Sequence, residues 1–281
     1  MSIALSTQFS DGESRCSPRL VAAAQQPDAI DIRRGLRRGE FQAYVQPKFD
    51  LQSQEVQGVE VLARWQHSQR GLMTPAAFIS LMTRKQLLDE LLCRLLAQGL
   101  ACQVELHRQG RELSFAFNLS LHQLASDSLV DQLAARLQQH PLPLSSVTLE
   151  ITEDAFTSVS PAVQQRLVCL KELGVRLSMD DFGTGYSSLW RLNQLPFDEI
   201  KLAREFTAQL ESSPRARAIV RHALFLAEDL GMQLIVEGIE TQSQRSLLMQ
   251  LGACFGQGYL YAEPMPVDSL DAWLKGSQQP F

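Results

Sequence analysis

The stretch SVTLEITEDAFTSVSPAVQQRLVCLKELGVRLSMDDFG, residues 146–183, contains the pattern that decides the fold. It begins with an apolar run typical of a buried strand (146–152), continues with a helical run from Pro161, and returns to a strand-like run (175–181) after Gly174. A glycine there favours the end of a helix, because its φ angle can be positive. A strand, a helix and a second strand in this order predict a unit of a parallel sheet.

The same alternation extends from this stretch in both directions. Strands are predicted at 41–48, 56–65, 113–120, 146–152, 175–181, 197–202, 232–238 and, in a less apolar run, 253–259. Helices are predicted at 75–82, 87–109, 129–139, 161–173, 214–230 and 242–251. About eight strands in about 245 residues favour an α/β fold, a (β/α)8 TIM barrel, over the alternative of a doubly wound sheet. Only a short turn separates the first two strands, which predicts a modified barrel with one antiparallel strand.

The composition limits the class of protein. The chain has 281 residues with 26 basic and 31 acidic side chains, giving a net charge of −5. Such a chain lacks the charge of a general binder of DNA, RNA or membrane surfaces, and no run approaches the roughly 20 apolar residues of a membrane span. The N-terminus shows no secretory signal and the five cysteines are scattered, so we expect a cytoplasmic protein with reduced thiols.

The first residues differ from the remainder of the chain. Residues 1–28 are rich in Ser, Gln and Ala and show no sustained periodicity. We expect a mobile N-terminal arm over 1–28 and one barrel domain over 29–281.

Polar residues gather at the carboxyl ends of the predicted strands. They are Asn118, Glu150, Asp180, Asp181, Lys201 and Glu237. In a barrel these ends converge on one face, where active sites are built. Glu60 lies inside an apolar strand, where a carboxylate needs a cation. Each residue alone has an ordinary structural explanation, such as a turn for the Asp pair. Several independent explanations of this kind would have to coincide on one face of the barrel, which favours a functional site there.

The donor atoms limit the chemistry of such a face. Carboxylates and one amide are oxygen ligands that suit Mg²⁺ or Mn²⁺ better than zinc. If Gly183 frees the backbone, Asp180 and Asp181 both turn inward and one of them bridges two ions. A two-metal site beside Lys201 suits attack of water on a phosphodiester, whereas a glycosidase needs neither the tandem Asp nor the Lys.

These motifs resemble, in order and spacing, the signature of the EAL domain family, the cyclic di-GMP-specific phosphodiesterases of bacteria. They are GVEVLARW (58–65), NLS (118–120), EITE (150–153), DDFGTGYSS (180–188), IKL (200–202), EGIE (237–240) and QGY (257–259). The resemblance covers about residues 30–274. It implies a modified TIM barrel that uses two Mg²⁺ or Mn²⁺ ions to hydrolyse cyclic di-GMP to linear pGpG.

The resemblance also implies a role for each matching residue. The first ion would be bound by Glu60, Asn118, Glu150 and Asp180, and the second by Asp180, Asp181 and Glu237. The residues closest to the reaction would be Lys201, which contacts the attacking water, with Glu237 and Glu60. Substrate contacts would come from Arg64, Gln46 and Gln257. Glu153 would hold the loop 182–188, through which a homodimer is expected.

Three positions depart from the family pattern. Val61 replaces the Ala of the namesake motif, on the strand face away from the acids. Residues 81–84 lack the usual Ala-Glu. Ala203 stands where the family usually has Asp, and loss of a carboxylate behind a metal site can cost about 10–100-fold in metal affinity or activity.

Three functions therefore stay open. The complete set of matching ligands favours an active phosphodiesterase. Ala203 favours a catalytically weak module that acts as a cyclic di-GMP receptor or a protein-interaction adaptor. The residues alone also allow a metal phosphodiesterase that acts on another nucleotide.

Overall fold

Strands and helices alternate along the backbone of the protein. The computed structural model describes residues 27–152, 160–184 and 188–276. Its strands are Phe41–Asp50 (β1), Val56–His67 (β2), Gly71–Met73 (β3), Ser114–Asn118 (β4), Val147–Thr152 (β5), Arg176–Phe182 (β6), Glu199–Leu202 (β7), Gln233–Val236 (β8), Phe255–Gly256 (β9) and Met265–Pro266 (β10). Its α-helices are Ala29–Arg38 (α1), Ile79–Arg84 (α2), Leu88–Arg108 (α3), Asp127–Gln138 (α4), Pro161–Glu172 (α5), Ser188–Gln194 (α6), Arg204–Ala208 (α7), Pro214–Asp229 (α8), Gln242–Leu251 (α9) and Leu270–Gly276 (α10).

Eight of these strands close into a barrel. Around the ring they follow the order β1, β9, β8, β7, β6, β5, β4 and β2, and β2 pairs with β1 to close it. Strand β1 runs antiparallel to both of its ring neighbours, whereas the other neighbouring pairs are parallel. The modified TIM barrel with one antiparallel strand is confirmed, and the doubly wound alternative is wrong.

The pairing of β1 with β2 decides which side chains share the barrel interior. Gln46 lies opposite Glu60, and Lys48 lies opposite Gly58. Residues opposite each other, and residues two apart on one strand, point to the same face of a sheet. Gln46 and Lys48 therefore point inward with Glu60.

The unit from β5 to β6 shows why the sequence folds in this way. The Ser160 hydroxyl accepts a hydrogen bond from the Val163 backbone N–H, and Pro161 occupies the first turn of α5, where no N–H is needed. Beyond the helix Gly174 has a φ of +107°, which turns the chain into β6. The buried side chains of α5 lie on one stripe, as expected for a helix that covers a sheet.

Apolar side chains fill the space between the strands and the outer helices. Val59 and Val61 of β2 belong to this core together with Leu96 of α3. Val61 faces Gly99 of α3, where a Cβ would lie 3.3 Å from the valine side chain. The predicted alternation along β2 is therefore present, with valines outside and Glu60 inside.

The short elements differ from the sequence prediction. Helices α6, α7 and α10 have five to seven residues, too few for the apolar periodicity of a helix to be recognised. Asp28, which the sequence assigns to the N-terminal arm, caps α1 by accepting hydrogen bonds of 2.8 Å from the N–H groups of Ile30 and Asp31. Residues 1–26 of that predicted arm lie outside the described residues.

None of the helices that the structure describes is long and apolar enough to span a lipid bilayer.

Candidate active site

Carboxylates from four parts of the barrel converge on one buried lysine. Lys201, near the end of β7, is only 1% exposed. Its Nζ lies 2.7 Å from Glu237, 3.0 Å from Asp180 and 3.1 Å from Glu60 and Glu150. The structure thus brings together five of the residues that the sequence predicts for one site.

The alternation along β7 aims Lys201 into the barrel. Ile200 and Leu202, its neighbours on the strand, are buried in the hydrophobic core outside. Burial alone would lower the pKa of Lys201, but the surrounding carboxylates, Asp180 first, outweigh it and raise the pKa well above its usual value. The residue is therefore an ammonium that neutralises part of the acidic charge.

Glu60 is held by two amides as well as by Lys201. Asn118, the last residue of β4, donates from Nδ2 to Glu60 Oε1 at 2.9 Å. Gln257 donates from Nε2 to Glu60 Oε2 at 2.7 Å, while its own Oε1 is buried without a hydrogen-bond partner among the described residues. Burial favours the protonated acid, but Lys201 and Lys48 outweigh it and hold the pKa of Glu60 well below its usual range.

Each oxygen of Glu150 contacts a different lysine. Lys48 Nζ lies 2.8 Å from Oε1, and Lys201 Nζ lies 3.1 Å from Oε2. Burial raises the pKa of Glu150 to about 7, and the nearby Glu60 carboxylate adds to the rise against the effect of the two lysines.

A second group of acids lies at the end of β6 and directly after β8. One ligand oxygen each of Asp180, Asp181 and Glu237 lies within 4.8 Å of the others. Asp181 has a φ of +56°, so the backbone itself turns at this residue, ahead of the predicted hinge at Gly183 with its φ of +95°. This turn lets two consecutive carboxylates contribute to one group. Burial and the Asp180 carboxylate raise the pKa of Asp181.

Two of the three predicted substrate contacts lie on β1 and β2. Arg64 is partly buried, with its guanidinium carbon 5.6 Å from the centre of the Tyr44 ring. No carboxylate of the described residues lies within 4.0 Å of Arg64, which leaves its charge for another anion. Gln46 is buried and donates from Nε2 to the Ala262 carbonyl at 3.1 Å.

A cavity of about 350 Å³ opens beside the acids. Glu60, Asn118 and Glu150 are among the residues that line it. Its walls are mainly apolar and include Leu92 and Leu95 of α3. A cavity lined by both polar and apolar side chains fits a ligand that carries both a phosphate and a flat ring.

One predicted site residue and part of one predicted loop lie outside the described residues. Glu153 belongs to the segment 153–159, and the loop 182–188 is described only at 182–184 and from 188 onward. The predicted contact between Glu153 and this loop stays a prediction.

The sequence prediction missed two buried charged residues. Lys48 on β1 and Glu199 on β7 lie 3.0 Å apart beneath the acids. Lys48 shares a strand face with Gln46, so the same alternation that identified Glu60 was available for it. The sequence prediction included the strand 41–48 and assigned Gln46 to the site, but it did not extend the alternation to Lys48.

Ala203 lies directly after β7 and is fully buried. It occupies the N-cap position of α7, where no side chain accepts a hydrogen bond from the helix. An Asp in this position would supply such an acceptor and a negative charge close to Lys201 in the chain.

The donor set fits a divalent cation. Burial raises the pKa of Glu237 to about 8 against the opposing charge of Lys201, with Asp180 adding to the rise. The pKa of Glu150 is raised as well. The site brings five carboxyl groups, those of Glu60, Glu150, Asp180, Asp181 and Glu237, close to two lysines, so acids outnumber the lysines. All of the donor atoms are oxygens, which suits Mg²⁺ or Mn²⁺. The described residues thus include an acidic cluster of the kind that holds a metal ion.

Comparison with known proteins matches most of the chain to one family. The family model for the EAL domain matches residues 29–264. The protein named cyclic di-GMP phosphodiesterase RocR, from Pseudomonas aeruginosa, is 42% identical over 260 residues, which cover 92% of this chain and 66% of RocR. The phosphodiesterase NbdA of the same organism is 35% identical over 246 residues, which cover 87% of this chain and 31% of NbdA.

A solved structure gives the same result in three dimensions. The structure of the PaMucR phosphodiesterase in complex with c-di-GMP is 36% identical in sequence and superposes with a TM-score of 0.79. The match covers 86% of this chain and 98% of that one. The chain thus spans nearly the whole of this solved chain, but only about two thirds of RocR and about a third of NbdA.

Proposed function

Because the chain belongs to the EAL domain family, we propose that it hydrolyses one phosphodiester bond of cyclic di-GMP and releases the linear dinucleotide pGpG. The observation that carries the proposal is the convergence of Glu60, Glu150, Asp180 and Glu237 on the Nζ of Lys201. The functions named for the relatives in the comparisons support the choice of substrate.

We propose two Mg²⁺ or Mn²⁺ ions in this site. The first would be held by Glu60, Asn118, Glu150 and Asp180, and the second by Asp180, Asp181 and Glu237. When bound, such ions lower the pKa of a water molecule and neutralise the phosphate oxygens. The excess of buried carboxylates over lysines supports this assignment, because a buried negative charge requires a cation.

Lys201 would orient the water that attacks the phosphate, and Glu237 would accept its proton. The ammonium of Lys201 orients the water by donating a hydrogen bond to its oxygen. Glu237, 2.7 Å from Lys201 Nζ, is placed to accept a proton. Glu60 would also contribute to the reaction, through its contacts with Lys201, Asn118 and Gln257.

Three residues would bind the substrate. Arg64, with no carboxylate partner in the described ranges, would pair with a phosphate, and the apolar walls of the neighbouring cavity would receive a guanine base. The Oε1 of Gln257, which has no hydrogen-bond partner in the described part of the chain, and the amide of Gln46 would complete the contacts.

A homodimer through the loop 182–188 and the following α6 is part of the proposal. Leu189 on α6 is 64% exposed, and an exposed apolar side chain there is consistent with a partner surface. Sedimentation over a range of concentrations tests the dimer, and a monomer mass at every concentration would overturn it. The cytoplasmic location stays a prediction from the sequence.

A receptor without turnover is the second candidate, because of Ala203. In that case the site would bind cyclic di-GMP, but the missing carboxylate would leave the acids poorly arranged for hydrolysis.

The test is an assay of the purified protein with cyclic di-GMP and Mn²⁺ or Mg²⁺, following pGpG by chromatography, beside the variant Ala203→Asp. Metal-dependent pGpG from the unchanged protein supports the phosphodiesterase. Binding without product, with turnover gained in Ala203→Asp, supports the receptor. Cyclic di-AMP serves as the control nucleotide, and equal turnover of both would point to a different specificity.

A further inference from the structure

A second lysine lies beneath the candidate active site and links two acids. Lys48 Nζ contacts Glu150 Oε1 at 2.8 Å and Glu199 Oε1 at 3.0 Å. All three side chains are buried, at 7%, 0% and 5% exposure. We refer to these three residues as the lower charge row.

The topology explains how the lower charge row forms. Glu150 and Glu199 lie level with Ser178, which pairs with each of them from β6 between their strands. Strand β1 lies four places from β6 around the eight-stranded ring, directly across the barrel. The small side chain of Ser178 leaves room between the two acids for the long side chain of Lys48, which crosses the interior from β1.

The two lysines contact different oxygens of Glu150. Lys201 contacts Oε2 and shares its ammonium with three further carboxylates of the site. Lys48 contacts Oε1, and its second carboxylate partner in the described structure is Glu199, below the site. A cation that enters the site would compete with Lys201 for Oε2, whereas the contact of Lys48 with Oε1 would remain.

Stability alone gives little reason for this arrangement. A buried ion pair commonly contributes no more to stability than apolar side chains of the same volume, because desolvation opposes the attraction. The interior of a TIM barrel is commonly filled by branched apolar side chains, whereas here three charged side chains lie inside it. Its orientation toward one oxygen of Glu150 suggests a role in the site above it.

We propose that Lys48, anchored by Glu199, is a positioning residue that fixes Glu150 through Oε1 and leaves Oε2 for the metal ion. This inference rests on the proposed function, because it assumes that Glu150 is a metal ligand. In this role Lys48 itself would touch neither the ion nor the substrate.

The double variant Lys48→Met/Glu199→Gln tests the proposal. It removes both charges together, so that neither is left buried and unpaired, and Met keeps the length and apolar stem of Lys. Glu150 keeps its contact with Lys201 but loses the contact that fixes Oε1. The single variant Lys48→Met leaves two acids without their shared cation and is expected to be too unstable for a clear result.

Four quantities are measured: the affinity for Mn²⁺ alone by calorimetry, kcat and KM for cyclic di-GMP at saturating Mn²⁺, and the melting temperature. We expect the double variant to lose at least about 10-fold in Mn²⁺ affinity and about 10-fold in kcat, with KM changed less than threefold. The loss of kcat at saturating metal separates misplacement of Glu150 from a weaker affinity for the ion.

The matched control is Lys171→Met/Asp198→Asn. This pair links α5 with the residue before β7, is partly exposed, and lies outside the proposed site. Its removal causes the same change of charge and side-chain type, so it reports the general cost of losing one ion pair. We expect Mn²⁺ affinity and kcat within about threefold of the unchanged protein.

The outcomes separate the two proposals. If the unchanged protein binds Mn²⁺ and the double variant binds it equally well and with equal kcat, the positioning role is wrong and the phosphodiesterase stands. If the unchanged protein binds Mn²⁺ but hydrolyses no cyclic di-GMP, the proposed function fails, and the Mn²⁺ affinities still decide the role of Lys48. If the unchanged protein binds no Mn²⁺, both proposals fall.

Discussion

Lys201 connects the strands that carry the acidic residues of the site. Its contacts of 2.7–3.1 Å reach carboxylates that would otherwise repel one another in a buried space. Removal of one partner from a buried ion pair costs about 3–5 kcal/mol, because the remaining charge is left without water or a counterion. The ammonium therefore stabilises the metal-free barrel in addition to its proposed part in the reaction.

We expect Lys201→Met to abolish turnover and to lower the free energy of unfolding by about 3 kcal/mol in the absence of metal. Mn²⁺ should recover part of this loss, since it neutralises the same carboxylates. Urea unfolding with EDTA and with Mn²⁺ measures both effects.

The control for this variant is Lys275→Met. Lys275 is exposed and pairs with Asp271 within α10, so its loss should change the free energy of unfolding by less than about 0.5 kcal/mol. Equal unfolding of Lys201→Met and the unchanged protein in EDTA would contradict the central role of the ammonium.

Among the described acids of the site, Glu60 has the most side-chain partners: Asn118, Lys201 and Gln257. We expect Glu60→Ala to abolish turnover and to weaken Mn²⁺ binding by at least about 10-fold, because one proposed ligand is lost and Asn118 and Gln257 lose their acceptor. Assays of pGpG and calorimetry with Mn²⁺ provide the two readouts. Glu172→Ala, which removes an exposed acid at the end of α5, is the control and should leave both unchanged. Wild-type turnover in Glu60→Ala would refute the assignment.

At the scale of one element, the end of β6 places two neighbouring acids in one group. Asp181 and Gly183 both have positive φ angles, and the chain then passes close to Phe206 of α7. A Cβ added at Gly183 would lie 2.7 Å from the Phe206 ring, closer than atoms can approach without a shift. The turn is therefore restricted by its own backbone and by packing against α7.

We expect Gly183→Ala to lower the free energy of unfolding by about 2–4 kcal/mol, from the left-handed φ and from the contact with Phe206. Turnover should also fall, since the shift is transmitted to Asp180 and Asp181. Gly231→Ala is a matched control, because Gly231 has a φ of +67° but open space around its Cβ position.

Gly231→Ala should cost only about 1–2 kcal/mol and leave turnover unchanged. Urea unfolding and the pGpG assay compare the two variants. If the two variants are equally stable and equally active, the contact between Gly183 and Phe206 affects neither stability nor turnover.

At the scale of the whole molecule, metal binding should be visible as stability. A ligand that binds only the folded state at 100 times its Kd adds about 2.7 kcal/mol, which corresponds to a rise in Tm of about 5–10 °C for a domain of this size. We expect this rise on adding Mn²⁺, measured by differential scanning calorimetry. In Glu60→Ala the expected loss of at least about 10-fold in Mn²⁺ affinity should reduce this rise to about half or less at the same concentration of Mn²⁺. A Tm independent of Mn²⁺ in the unchanged protein would contradict the proposed metal site.

The sequence was most informative where a residue broke a strong pattern. A carboxylate inside the valine-rich β2 and acids at several strand ends predicted a common face, and the structure brings Glu60, Glu150, Asp180 and Lys201 together there. The barrel followed from alternation of strands and helices, which depends on long-range periodicity rather than on single residues.

Other features depend on tertiary contacts that no local pattern contains. The lower charge row requires Lys48 to meet Glu150 and Glu199 across the barrel, over separations of 102 and 151 residues in the chain. The left-handed backbone of Asp181 is unusual for a residue other than glycine, and the sequence pointed to Gly183 instead. Short helices such as α7 carry too few residues for their period to be recognised.

The reversed direction of β1 has a consequence for how the barrel is tethered. In a barrel of parallel strands the chain enters its first strand on the side opposite the active site. Here β1 starts where β2 ends, so α1 leads into the barrel at the rim that holds the candidate active site. Any domain joined ahead of residue 27 would be connected to that rim through α1, a helix of ten residues and about 15 Å in length. The chain therefore enters the barrel on the same side as the candidate active site.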